Sequence, residues 1–292
     1  MGVRRPIQFV RPATYGGSVH RFQVDGTPVK EMQDEASRAW NFFSALYYKA
    51  GGTPWRLVRD PSDLTTCYMG ISFFYTADGD SLQTSVAQVF NQRGEGVVVR
   101  GGPAQVSKND RTPHIADEEA AELLKRTLKL YRDEHKTMPA RLVCHKSSYF
   151  TEAERIGFRA GAKELGIECV ELLSLRLGET RFYRLAEYPP LRGTMIHLSD
   201  HELCLYTQGS VDFYRCYPGM YVPNPLYAQL DDVEGDGRTL AAEMLALTKM
   251  NWNSTTFVNS EPITLSAARH VGSILRYLSK EHKLQVRYSF YM

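Results

Sequence analysis

Gly51-Gly52-Thr53-Pro54-Trp55-Arg56-Leu57 and, shortly after it, Thr66-Cys67-Tyr68-Met69-Gly70-Ile71-Ser72-Phe73-Phe74-Tyr75 form the stretch on which the reading of this chain turns. Upstream of it, residues 34–50 carry Trp40, Phe43, Leu46, Tyr47 and Ala50 at helical spacing, with Asp34 placed to cap the N-terminus. The two glycines can take the left-handed conformation that stops a helix. The second segment reads as a buried strand. The junction is therefore a helix, a glycine stop, a short connector and a core strand.

Working outward, strands are expected at 66–76 and 81–90, joined by the turn Ala77-Asp78-Gly79-Asp80. A third is Gly96–Arg100, ended by a Gly-Pro break. Residues 117–135 predict an amphipathic helix, acidic in its first turn, with Leu124, Leu128 and Tyr131 on one stripe. Arg141–His145 reads as a short buried strand. Thr151 and Glu154 have capping-box spacing for a helix to about residue 165. Cys169–Leu177 and a strand-rich stretch to about 216 follow, then helices at 237–250 and 265–282 and a last strand, Leu284–Tyr291. Near the start, Pro6–Val10 reads as a strand and Asp25-Gly26 as a hairpin turn. Three meandering strands followed by alternating helices and strands predict an α/β fold, a mixed sheet with helices packed on it.

A chain of 292 residues can bury a large core, and 43% hydrophobic with 23% charged residues excludes disorder. A net charge of +2 permits nucleic-acid binding without demanding it, since clustering decides more than the total. Cysteines 67, 144, 169, 204 and 216 are odd in number and form no Cys-x-x-Cys pair. That argues against a disulfide framework or zinc site and for a reducing cytoplasm. No run approaches a membrane span, and the first residues lack a signal peptide's apolar core. The expectation is a soluble cytoplasmic protein.

The Gly-Gly junction, His145-Lys146-Ser147, Arg192-Gly193-Thr194, Leu247–Ser254 and Glu261-Pro262-Ile263-Thr264-Leu265 together resemble, in order and spacing, the Argonaute proteins, particularly the short prokaryotic ones. The resemblance implies an RNase H-like PIWI domain over 58–292, preceded at 1–57 by the C-terminal part of a MID domain. Active relatives hold two divalent metals with an Asp on the first strand, a Glu on a loop, an Asp after the second buried strand and an Asp or His on the last helix. The matching positions here are Ser72, Glu95, Ser147 and approximately Ala267. A hydroxyl or a methyl cannot replace a carboxylate ligand, so the resemblance implies a protein that does not cut.

The guide-binding half is better preserved. In the family a Tyr, a Lys, a Gln and a second Lys hold the guide's 5′ phosphate, with a metal bound by the C-terminal carboxylate. Gln8 matches the Gln and Lys49 the second Lys; the Tyr and first Lys belong upstream of Gln8, where the sequence has almost nothing. A truncated start or a partial MID domain is implied. The carboxylate of Met292 would take Mg²⁺ beside the phosphate. Lys249, Asn251 and Ser254 would face the guide backbone, with Lys146 a looser candidate for the same groove. The implied ligands are a guide strand, RNA ahead of DNA, and complementary target DNA. An APAZ-containing effector with a TIR or sirtuin-like NADase domain, or a nuclease, is the implied partner, activated on target recognition in defence against plasmids or phage, with higher-order assembly on activation. The alternatives are an active RNase H-like nuclease using displaced carboxylates and a non-binding scaffold.

Other acidic and histidine groups read as structural. Asp78-Gly79-Asp80 sits where a hairpin needs turn residues. Asp231, Asp232, Glu234 and Asp236 read as a solvated loop and N-cap. His197 and His201 fall on a strand entering a turn, where four-residue spacing does not converge.

Overall fold

The computed structural model describes residues 5–10, 33–58, 64–90, 96–108, 110–182, 185, 189–211, 221–252, 259–279 and 284–291, with side chains for all of these but 86–90. The hairpin expected at Asp25-Gly26 lies outside them.

Strands β1 (Thr66–Tyr75), β2 (Leu82–Phe90) and β3 (Val98–Pro103) form the expected antiparallel meander. Gly79 turns the first hairpin at φ 80°, and Thr76 Oγ1 donates to the Asp78 carboxylate, so Asp78 serves the turn. Two very short strands, β4 (Gln105–Val106) and β5 (Pro113–His114), pair apart from the main sheet. On the other edge of β1 lie β6 (Arg141–Lys146) and β7 (Cys169–Leu177), both parallel to their inner neighbours. Then β10 (Leu226–Asp232), β9 (Glu202–Leu205) and β8 (Met195–Ser199) add in antiparallel fashion, giving eight strands in the order β3-β2-β1-β6-β7-β10-β9-β8. The parallel centre is covered on both faces, which is why its strands are apolar on both alternations.

Cys67, Met69, Ile71, Leu142, Cys144 and Leu172 belong to one core, with residues of α2 (Asp117–His135) and α3 (Glu152–Glu164). Tyr68, Val143 and Leu173 belong to the other, with α4 (Gly237–Leu247) and α5 (Ile263–Leu275). Each fully buried leucine contributes about 1.5–3 kcal/mol relative to exposure. Thr151 and Glu154 close the predicted capping box of α3, and Asp236 caps α4 through Thr239 N. A β-carbon at Gly70 would lie 2.1 Å from the Thr264 carbonyl oxygen, so glycine there lets the start of α5 rest on β1.

Helix α1 (Glu35–Lys49) precedes the sheet, with Asp34 Oδ1 accepting from Ser37 N at 2.9 Å and Gly51 at φ 95° behind its end. Tyr48 anchors it by an edge-on contact with Trp252, ring centres 4.8 Å apart. The stripe expected to pack is turned: Ser44, Ala45 and Tyr48 are buried, whereas Phe43, Leu46 and Tyr47 are exposed. The face that carries Tyr48 is the one set against the sheet body, and it turns the other aromatics outward.

Three further expectations are corrected. Pro6–Val10 has no strand pairing among the described residues. The expected last strand makes a single bridge, Val97 to Arg287, then a turn of 3-10 helix at Tyr288–Phe290 as the chain folds inward to bury Ser289 and Tyr291. Helices α4 and α5 end at Leu247 and Leu275, earlier than expected, and Arg100 Nη2 takes the carbonyls of Leu275 and Leu278 at 3.3 and 3.1 Å. Among the described residues no helix is long and apolar enough to cross a membrane.

Candidate functional site

At the C-terminal ends of β1 and β6 the three slicer positions do come together. Ser147 N donates to Ile71 O at 3.2 Å, beside Ser72. Ser85 Oγ lies 3.2 Å from Ser72 O and 3.0 Å from Ala268 O, which sets α5 and Ala267 against the same place. Ser72, Ser85 and Ala267 are 3%, 0% and 1% exposed. They line a seam of small side chains that lets α5 pack on the sheet. Glu95 lies outside the described residues, among which no three His, Cys, Asp or Glu side chains are grouped to hold a metal.

Strand alternation separates His145 from Lys146. His145 faces α5, and its Nδ1 is 2.8 Å from Thr264 Oγ1. Burial pushes its pKa down to about 3, so the ring is neutral. Lys146 points the other way and is 0% exposed. Its Nζ lies 2.6 Å from Glu154 Oε1 and donates to Tyr149 O at 2.7 Å. The expectation that Lys146 faces a nucleic-acid groove is therefore overturned: its charge is spent inside, on the carboxylate that also caps α3. An ammonium buried this deeply requires such a partner.

Gln8 and Lys49 are brought together. Lys49 Nζ donates to Gln8 Oε1 at 2.6 Å and to Ile7 O at 2.9 Å, and partial burial lowers the lysine's pKa. Lys49 lines a cavity of about 350 Å³ with Arg5, Gly51, Gly52, Arg287 and Ser289. Glu134, the one carboxylate among the described residues of that lining, stands 2.8 Å from Arg287 Nε. Among the described residues the cavity thus gathers three cations against one anion, a setting for a phosphate. Sequence reasoning missed Arg5 and Arg287. Arg5 lay beside Gln8 in plain sight, but Arg287 was hidden in a segment read as a strand.

Lys249 follows α4, exposed, and lines a different cavity of about 380 Å³ with Trp55, Arg56 and Arg192. Trp55 Nε1 donates to Lys249 O at 2.8 Å. Asn251 adjoins Trp252 and lines neither cavity. Ser254 and Met292 lie outside the described residues.

The remaining acidic cluster is structural. Asp231 and Asp232, expected in a solvated loop, are instead half-buried at the end of β10: Asp232 pairs with Arg159, and Asp231 accepts from Ser174 Oγ at a bulge. His197 lies on β8 and His201 beyond its end, as the spacing argument expected.

A meander of three antiparallel strands, continued by two parallel strands with helices on both faces, is the RNase H-like fold of an Argonaute PIWI domain. Structural comparison bears this out. Clostridium butyricum Argonaute bound to a guide DNA and a 19-mer target DNA superposes with a TM-score of 0.64, at 16% identity, over 86% of this chain and 32% of that one. The A. aeolicus Argonaute gives 0.62 at 16% identity over 86% of this chain and 34% of that one. Aa-Ago with externally bound siRNA gives 0.62 at 17% identity, over 89% and 34%. The chain spans about a third of the length of these structures. No family model and no curated protein matches the sequence.

Proposed function

We propose that this chain is the PIWI-containing part of a short prokaryotic Argonaute, with the end of a MID domain at residues 1–57. It holds a small guide strand by its 5′ phosphate and recognises complementary nucleic acid without cutting it. The observation that carries the reading is that Lys49, held by Gln8, lines a cavity with Arg5 and Arg287. Residues far apart in the chain have converged there on the chemistry a terminal phosphate needs.

The non-cleaving half of the proposal rests on Ser72, Ser147 and Ala267, which supply no metal-binding oxygen anion; Ser72 and Ala267 are buried and Ser147 half-buried. Mg²⁺ at the phosphate, held by the terminal carboxylate of Met292, comes from the resemblance. Glu134, already paired with Arg287, supplies no second ligand, so the described residues do not by themselves make a Mg²⁺ site. The counter-charge to the phosphate comes from Lys49, Arg5 and Arg287. The resemblance also carries the proposal of an APAZ-containing effector, activated when a target is recognised, in defence against plasmids or phage.

Incubating the protein with a phosphorylated guide, a labelled complementary target and Mg²⁺ or Mn²⁺ tests the reading. The expected result is a stable ternary complex with intact target. Cleavage at one guide-defined phosphodiester would contradict it.

A further inference from the structure

Glu134 is placed where its own helix does not favour it. It belongs to the last turn of α2, with Arg132 and His135. A carboxylate there faces the negative end of the helix macrodipole, which attracts cations and disfavours anions. Its acidic neighbour Asp133 is not among the residues that line the cavity at Lys49, whereas Glu134 is. Glu134 Oε1 stands 2.8 Å from Arg287 Nε, yet Arg287 does not depend on that contact for its place. The backbone on either side of it is held by Val98 N, which donates to Val286 O at 2.7 Å, and by Tyr288 N, which donates to Gly96 O at 2.9 Å. Lys49 donates to two neutral acceptors, Gln8 Oε1 and Ile7 O, and brings its whole charge to the cavity. Among the described lining residues Glu134 is thus the one counter-charge to Arg5, Lys49 and Arg287. It relieves their mutual repulsion while no ligand is bound.

We propose that Glu134 is an internal anion that competes with an incoming phosphate for Arg287, and so sets how strongly a phosphorylated strand end is preferred. The inference rests on the reading that the cavity takes a terminal phosphate, and adds what limits its grip. Repulsion by a fixed carboxylate grows with the charge of the ligand. A terminal phosphate carries about −1.5 to −2 near pH 7, whereas a hydroxyl end brings no charge to the cavity. Glu134 therefore weakens the binding of the phosphorylated strand and leaves the hydroxyl strand nearly untouched. It does so without closing the site, because a guanidinium has five N–H donors and a partner at Nε does not exhaust them. The alternative role, a clamp that orients Arg287 toward the ligand, predicts the opposite sign.

Fluorescence anisotropy with one labelled single-stranded oligonucleotide, in 5′-phosphate and 5′-hydroxyl forms, compares the parent with Glu134→Gln and Glu134→Asp. Glu134 lies in an exposed helix turn, so both variants spare the fold, and melting curves check this. Glu134→Gln keeps the side chain's shape and removes its charge. It should bind the phosphorylated strand roughly 3- to 10-fold more tightly than the parent does, the scale of one screened like-charge contact, with the hydroxyl strand within about twofold. Glu134→Asp keeps the charge and should keep the parent's preference. Weaker binding of the phosphorylated strand by Glu134→Gln would make Glu134 a clamp for Arg287 and overturn the inference. An unchanged ratio of the two strands, or an equal gain for both, would overturn it as well, since the carboxylate would then not be read by the terminal phosphate. So would a Glu134→Asp variant that matches Glu134→Gln, because charge would not be the cause. A parent that binds the two strands equally would contradict the underlying reading, and the inference falls with it.

Discussion

Lys49 and Lys146 are two lysines whose surroundings separate their roles. Lys146 has no access to solvent and is held by Glu154 at 2.6 Å, so its removal strands a buried carboxylate. Lys146→Met should lower unfolding free energy by on the order of 3 kcal/mol in a urea titration, through loss of the counter-charge. A change within the noise would mean that Glu154 is satisfied by its backbone donors alone. Asp231 gives a prediction in pH. Burial pushes its carboxyl up to about 6 from an ordinary 3.8, against the Ser174 hydrogen bond that lowers it. The folded protein holds this proton more tightly than the unfolded chain does. The contribution to stability is therefore fully present below the ordinary value and is lost as pH rises through about 6. Asp231→Asn should thus stabilise the protein above about pH 7, by on the order of 2 kcal/mol since the site is partly wetted, and change little near pH 4. An equal effect at both pH values would show that the side chain matters for packing and not for charge.

At the scale of elements, the seam between β1 and α5 sets how closely the sheet and its helix approach. Gly70→Ala places a methyl against the Thr264 carbonyl and should cost about 1–3 kcal/mol, read as a lower urea midpoint with an unchanged slope. Retained stability would mean that α5 can shift outward. Much at this scale was legible in the sequence, because it is local: Asp34 as a cap, Gly51 as a stop, the Asp78-Gly79 turn and the Thr151–Glu154 box each depend on neighbours a few residues away. What failed was non-local. The alternation of buried Leu226, Ala228 and Leu230 in β10 was present but masked by the acidic pair that follows. Leu284–Tyr291 had strand composition, yet only the packing of Tyr291 decides that it turns inward after one bridge. Which face of β6 meets α5 and which meets α3 is likewise fixed only by the assembled sheet, and it turns Lys146 inward onto Glu154. In the candidate site, Gln8 and Lys49 were legible through resemblance alone. Arg5, Arg56, Arg192 and Arg287 required the fold.

For the molecule as a whole, register places Ser72, Ser85 and Arg100 level with one another across β1, β2 and β3. Gly96, on the rim of the Lys49 cavity, precedes Arg100 by four residues, roughly 13 Å along the strand direction. One sheet thus carries a buried seam of Ser72, Ser85 and Ala267 and, at its rim, a cavity lined by Arg5, Lys49 and Arg287. The central claim is that the cavity reads a terminal phosphate, and a paired titration tests it most directly. Oligonucleotides of one sequence, with 5′ phosphate or 5′ hydroxyl, are titrated against the parent chain and Lys49→Ala, with melting curves to confirm that both are folded. The account predicts that the parent prefers the phosphorylated strand by about tenfold or more, as one charge-assisted contact would give. Lys49→Ala should lose most of that preference and keep its melting temperature. Equal binding of the two strands by the parent, or an equal loss for both in Lys49→Ala, would contradict it.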